Sequence, residues 1–341
     1  MAYFRIKPWY KKSSAKQLVY YGTATPLSVA RGQFAATTVG DYALFGGGYD
    51  SNYNKKNTVD AYNTSLTRTI ATNLTKARER LSATSIGNYA LFGGGNGWAT
   101  VDAYDTSLTI ATPTELSVKR MDLSATSVGN YALFGGGQSS LSNAVDAYNT
   151  SLTRSTPTAL SEARYNLAAT TVGNYALFGG GYGNGSPNYK ATVDAYNTSL
   201  TRSTPTTLSE ARFSFNATSV GDYALFGGGR GSGNPDYKAT VDAYNTSLTR
   251  STPTALSTSR SQLSATTLED YALFGGGAGS DPYKKDTVDA YDKSLTRTTP
   301  TALSDARYDL AATTVGNYAL FGGGRNNYAS YLDIVDVYTL Q

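Results

Sequence analysis

Acid and base recur together along this chain. Asp60, Asp102, Asp146, Asp194, Asp242, Asp289 and Asp336 each stand two residues before a tyrosine. Arg31, Arg78, Arg120, Arg164, Arg212, Arg260 and Arg307 each stand just ahead of a β-prone stretch. A catalytic centre is normally unique, so a pair repeated seven times reads as architecture, a ring of charges and hydrogen bonds tying repeats together. A central anion site made by the arginines is the minor alternative. Glycoside hydrolysis needs two carboxyls in distinct environments. No unique pair stands out, and an enzymatic reading survives only if Arg80, Asp122 and Asp309, which are not repeated, converge.

Histidine and cysteine are both absent. That removes the side chain best suited to proton transfer near neutral pH, the commonest metal ligand, disulfides and thiolate sites. The glycine triplets lack the following helix and Lys-Ser/Thr pair of a phosphate loop. They read as strand ends lying close to a neighbouring backbone. Asn-X-Ser/Thr at Asn63, Asn149, Asn197 and Asn245 falls in tight turns, where the side chain bonds its own backbone. No catalytic residue, cofactor or metal is expected.

These residues sit on a repeat. Tyr-Ala-Leu-Phe-Gly-Gly-Gly begins at Tyr42, Tyr89, Tyr131, Tyr175, Tyr223, Tyr271 and Tyr318, spacings of 47, 42, 44, 48, 48 and 47 residues. Such a period marks propeller blades or helical solenoids. With 35 Gly, 28 Tyr, abundant Thr and only two Met, the composition favours strands and turns. In the fifth repeat, Phe215 to Val220 and Tyr223 to Phe226 flank a Gly-Asp turn and predict a hairpin. A third strand is predicted over Thr240 to Tyr244 and a fourth over Leu248 to Leu256. The last repeat stops after its third strand, while residues 17–27 match the fourth strand of the other repeats. They are therefore expected to pair with 334–338 and close the ring, leaving no open edge between the ends. The expected fold is all-β: a seven-bladed propeller with four antiparallel strands per blade over 17–341, preceded by a basic, aromatic arm over 1–16.

Each repeat resembles the Kelch motif, as at Gly227-Gly228, Tyr244 and Arg260. The chain departs where the family usually has a tryptophan after the turn, here Arg250 or Ile110. The resemblance implies a Kelch-type propeller whose loop face binds a ligand. Uniform arrays of this kind are similar to repeats in bacterial and prophage-encoded proteins, tail-associated ones included. Galactose-oxidase-like chemistry needs the His and Cys that are missing.

Against this uniformity two sets of residues vary. One follows each glycine triplet: 49–57, 96–99, 138–143, 182–190, 230–238, 278–286 and 325–333. The other is the pair after each repeated Arg: Gly32/Gln33, Glu79/Arg80, Met121/Asp122, Tyr165/Asn166, Phe213/Ser214, Ser261/Gln262 and Tyr308/Asp309. In an up-and-down blade both open on one side, so both should crowd one rim around the channel. Drift in loops is the competing explanation. The residues expected to bind are Tyr49, Arg80, Trp98, Asp122, Tyr165, Asn166, Tyr182, Phe213, Arg230, Gln262, Tyr308, Asp309 and Arg325. Tyr and Trp offer broad contact and Asn adaptable hydrogen bonds, which suits a glycan or protein ligand and a non-enzymatic binding module. The alternative is an intracellular interaction scaffold. A formal charge of +4 is too small and dispersed to imply nucleic acid. No apolar run approaches a membrane span, and the start lacks a secretory h-region. Cytoplasmic or virion-associated placement is expected, with residues 1–16 a possible anchor to a larger assembly.

Overall fold

A computed structural model describes residues 16–327 and 330–341, and the predicted arm falls outside them save for Lys16. Seven four-stranded antiparallel sheets are arranged as blades around a central channel, and the described residues contain no helix. Blade 5 shows the pattern. Asn216–Val220 pairs with Tyr223–Gly227, which pairs with Val241–Asn245, which pairs with Arg250–Ser251. Period-2 burial appears in the innermost strand of other blades, as in Ala35–Val39 of blade 1, and is blurred at Asn216–Val220, while the second and third strands are packed on both sides. That is what continuous apolar runs such as Tyr-Ala-Leu-Phe require.

The fourth strand is much shorter than the predicted Leu248 to Leu256. Leu248 closes the turn at φ 60° with its N–H bonded to Asn245, and pairing stops at Ser251. Pro253 has no N–H to donate. Leu256 then leaves the ladder, bonds Ala239 O at 2.8 Å and is buried under the blade edge.

The ring closes as expected, with a ladder over Leu18–Thr23 and Val335–Leu340 rather than 17–27 and 334–338. Leu18–Thr23 lies antiparallel to Val335–Leu340, with Val19 opposite Thr339 and Tyr20 opposite Tyr338. The last blade thus takes three strands from one end of the described chain and one from the other. Its Tyr20 hydroxyl donates to Asp336 Oδ1 at 2.7 Å. Burial, then Asp336, pushes that phenol up to about 12, so it stays a donor.

The core lies between blades rather than inside them. Val39, Leu44, Val59 and Ala61 of blade 1 pack on Ala90, Phe92 and Tyr104 of blade 2. The first glycine of each triplet makes this approach possible. A Cβ on Gly135 would lie 2.7 Å from Cε1 of Phe178 in the next blade. The second has a different reason: Gly136 holds φ 69°, and a Cβ there would strike the Arg164 carbonyl at 2.6 Å. So close approach explains the triplets, to a ring first and to backbone second.

The seven Arg–Asp pairs are all fully buried, with N–O distances of 2.5–2.7 Å. Each Arg sits on the linker entering a blade, and its Nη2 also donates to a second-strand Phe carbonyl, as Arg31 does to Phe45 O at 3.0 Å. Asp60 additionally takes the N–H and hydroxyl of Ser28 from the same linker. Tyr62 donates to Thr25 O at 2.7 Å. These are inter-blade ties, and the buried arginines form no central anion site. Where tryptophan was missing, Arg250 brings a second guanidinium to Asp242 at 2.8 Å. At Ile110 in blade 2 this second cation is absent, and Asp102 keeps only the linker hydroxyl, that of Thr75, which stands where Ser28 serves Asp60.

On the turn face the hairpin glycine of one blade meets the Asn-Thr-Ser turn of the next, as Gly129 meets Thr198. Blade 6 departs from this. Glu269 occupies the glycine position at φ 45°, and Lys16 reaches it at 3.2 Å.

Candidate binding site at the channel mouth

Both varied sets lie on one rim because they pair with each other. Gly32 bridges Tyr49, Met121 bridges Gln138, Tyr165 bridges Tyr182, Ser261 bridges Ala278 and Tyr308 bridges Arg325. In blade 5 the same contact extends to Arg212–Phe213 against Arg230–Gly231. Linker and loop therefore brace one another across six of the seven blades.

The second residue of every linker pair forms the mouth. Gln33, Arg80, Asp122, Asn166, Ser214, Gln262 and Asp309 all hold φ between 51° and 58°. Only Asp and Asn among these tolerate that region readily, and elsewhere it costs roughly 1–2 kcal/mol per residue. The compensation is a closed circle of backbone hydrogen bonds. Each N–H donates to the carbonyl of the same position one blade back, and Gln33 returns to Asp309, at 2.8–3.1 Å throughout. Beneath them Phe34, Leu81, Leu123, Leu167, Phe215, Leu263 and Leu310 form an apolar collar, below which the channel continues between the innermost strands. The bowl encloses about 360 Å³.

Side chains above that circle are joined unevenly. Gln262 Nε2 donates to Asp309 Oδ1 at 2.8 Å, and Gln33 Nε2 to Asp309 Oδ2 at 3.2 Å. Arg80 Nε donates to Gln33 Oε1 at 3.0 Å, and its Nη1 lies 3.5 Å from Asp122 Oδ2. Gln138 Nε2 closes the arc on Asp122 at 2.5 Å. Burial pushes both Asp122 and Asp309 above the usual carboxylate range, against the opposing pull of Gln138 and Arg80 on the first and Arg325 on the second. So Arg80, Asp122 and Asp309 do converge, through Gln33. Gln33 and Gln138 were not among the expected binding residues, although both stand at varied positions.

Arg80, Asp122, Asn166, Gln262 and Asp309 line the bowl as expected. The aromatic candidates behave differently. Tyr49 and Tyr308 are buried, the first against Tyr331 and Tyr53, the second between Tyr283 and Arg325. Neither offers a free ring face, because rings from the neighbouring loops cover them. Tyr165, Tyr182 and Phe213 are half-buried in a cluster with Tyr189, which stacks on Phe213 at 5.4 Å. Arg230 pairs with Asp236 and lies over Tyr237, and Arg325 pairs with Asp309 at 3.0 Å. Trp98 is exposed, with Lys76 Nζ 5.4 Å from its ring centroid. Among the described residues no His/Cys/Asp/Glu group is arranged to hold a metal, and no helix is long and apolar enough to cross a membrane.

No family model matches the chain, and no curated protein matches it. A match among solved structures is that of YjhT, at 11% identity and a TM-score of 0.61, over 93% of this chain and 99% of that one. A likeness at that identity is one of fold.

Proposed function

We propose that this propeller is a non-enzymatic binding module whose channel mouth holds a carbohydrate. The observation that carries this reading is the bowl itself. Carboxylates, amides, a hydroxyl and a guanidinium alternate around a polar rim above an apolar collar. A sugar ring presents the matching chemistry, with hydroxyls that both donate and accept around an edge and C–H groups on its faces. The volume falls toward the lower end for small-ligand pockets. The locked backbone circle holds these groups in place before a ligand arrives, which lowers the ordering cost of binding.

A glycan array tests it. Defined glycans should bind the parent protein, and Asp122→Ala with Gln33→Ala should weaken that binding at least tenfold while the fold is kept. Glycan binding untouched by both changes would remove the mouth from the site. Turnover of a glycoside abolished by Asp122→Asn would show catalysis instead, a role toward which the raised carboxyls of Asp122 and Asp309 lean.

A protein partner is the second reading, favoured by the loop-tip rings of Tyr53, Trp98 and Tyr283, which stand exposed. Silence on glycans with capture of one specific protein would favour it, as would loss of that capture on Tyr53→Ala. The Kelch-like uniformity of the repeats supports a place on a phage tail or other bacterial appendage. Neighbouring genes for tail proteins would agree with that placement, and a setting among metabolic genes would oppose it.

A further inference from the structure

The rim is not equally high all round. Between second and third strands, the loops of blades 4, 5, 6, 7 and 1 run over 180–192, 228–240, 276–287, 323–334 and 47–58. Those of blades 2 and 3 run only over 94–100 and 136–144. Rings also join the long loops to the linker or loop of the next blade. Tyr189 stacks on Phe213 between blades 4 and 5, Tyr283 meets Tyr308 between blades 6 and 7, and Tyr331 meets Tyr49 between blades 7 and 1. No such ring pair spans blades 2 and 3 among the described residues, where the ring pairs lie within a single blade. The wall is a horseshoe with its opening over blades 2 and 3.

Three features cluster at that opening. Trp98 lies on the short loop of blade 2, outside the bowl, with 38% of its surface exposed. Lys76 Nζ lies over its ring, 5.4 Å from the centroid. Just inside, Arg80 has the most exposed charged side chain of the bowl, at 38%, and Gln138 of the short blade 3 loop reaches Asp122. A path thus runs from an exposed aromatic, over the lowest part of the wall, to the most accessible polar groups of the bowl.

We propose that the ligand is a linear oligosaccharide laid across the opening at blades 2 and 3, with an inner sugar on Trp98 and its terminal unit in the bowl beside Arg80 and Asp122. This rests on the carbohydrate reading of the mouth. Aromatic rings bind sugars through their C–H faces and Trp supplies the largest rigid face. A compact, branched glycan would meet the tall wall on five of the seven sides, whereas a chain needs only one gap.

An array of defined oligosaccharides identifies the chain bound. Its fragments of one to six units are then titrated by calorimetry against the parent, Trp98→Ala, Trp98→Phe, and a variant that keeps Trp98 but whose blade 3 segment 139–143 is replaced by the longer sequence of 231–238. For the parent, affinity should rise about tenfold or more as units are added beyond the terminal one. Trp98→Ala should bring longer chains down to the level of the single unit, and Trp98→Phe should keep part of the gain. The taller loop should abolish the gain while circular dichroism shows the propeller intact. Affinity independent of length, or a length gain that survives both Trp98→Ala and the taller loop, would overturn the side-entry proposal with the carbohydrate reading still standing. An array with no bound glycan would overturn both.

Discussion

Replacing Asp242 with asparagine examines a buried charge pair that a second arginine also joins. Asp242 accepts Arg212 Nη2 at 2.7 Å, Arg250 Nη1 at 2.8 Å and the Ser209 N–H at 3.0 Å. Both Arg212 and Asp242 are fully buried. Asparagine has the same size, so no cavity forms and the effect is electrostatic. Removing one partner of a buried pair strands the other and costs about 3–5 kcal/mol. Arg250 is one-quarter exposed, so its lost attraction adds no more than about 1 kcal/mol. In blade 2, Asp102 holds Arg78 at 2.6 Å, and Ile110 stands where the second arginine would be. Asp102→Asn should therefore cost about 1 kcal/mol less than Asp242→Asn. Guanidinium unfolding followed by far-ultraviolet circular dichroism reads both. The double change Arg212→Met with Asp242→Leu should lose less than Asp242→Asn alone, because no fully buried charge is stranded and only the partly exposed Arg250 loses its partner. Single variants that each unfold within about 1 kcal/mol of the parent, or with blade 2 the more sensitive, would refute this reasoning.

Other consequences follow from the same packing. Gly135→Ala drives a Cβ to 2.7 Å from the Phe178 ring and should destabilise by about 1–3 kcal/mol; a thermal midpoint equal to the parent's would contradict that seam. Asp309 carries a raised pKa in the folded chain, chiefly through burial. The folded state then binds its proton more tightly than the unfolded chain, so stability falls as pH rises from 3.8 through the folded value. Asp309→Asn should lack that fall, and parallel pH profiles for the two proteins would rule the shift out. At Glu269, glycine would relieve a left-handed backbone worth about 1 kcal/mol and lose only an exposed pair with Lys16. Glu269→Gly should be neutral or slightly stabilising in a melt. A clear loss would mean that the Lys16 pair anchors the closing strand.

Much of this architecture could be read before any coordinates. Tyr-Ala-Leu-Phe-Gly-Gly-Gly recurs because each copy meets the same neighbour in the ring, so the blade count and the inter-blade charges were legible. The closing strand was legible because residues 17–27 match fourth strands and have no third strand of their own. The length of those fourth strands was not, since Pro253 and the escape of Leu256 to Ala239 depend on what the blade edge offers. At the mouth, variation marked the positions but not their conformation. Nothing in Gln33 or Ser214 as residue types announces a left-handed backbone. Only Asp122, Asn166 and Asp309 gave a compositional hint. Tyr49 and Tyr308 looked like free aromatic contacts because the loops that bury them come from other repeats. The short spacings of 42 and 44 already contained the gap in the wall.

Every functional statement here depends on the two ends meeting in one sheet, and the absence of native cysteine makes that directly measurable. Val19 lies opposite Thr339, whereas Val337 lies opposite Gly22. In Val19→Cys/Thr339→Cys, mild oxidation should give an intrachain disulfide in nearly every monomer, seen as a reductant-sensitive shift in gel mobility. The offset pair Val19→Cys/Val337→Cys should stay reduced. No crosslink in the first variant, equal crosslinking in both, or bonds only between chains would mean an open array without a mouth.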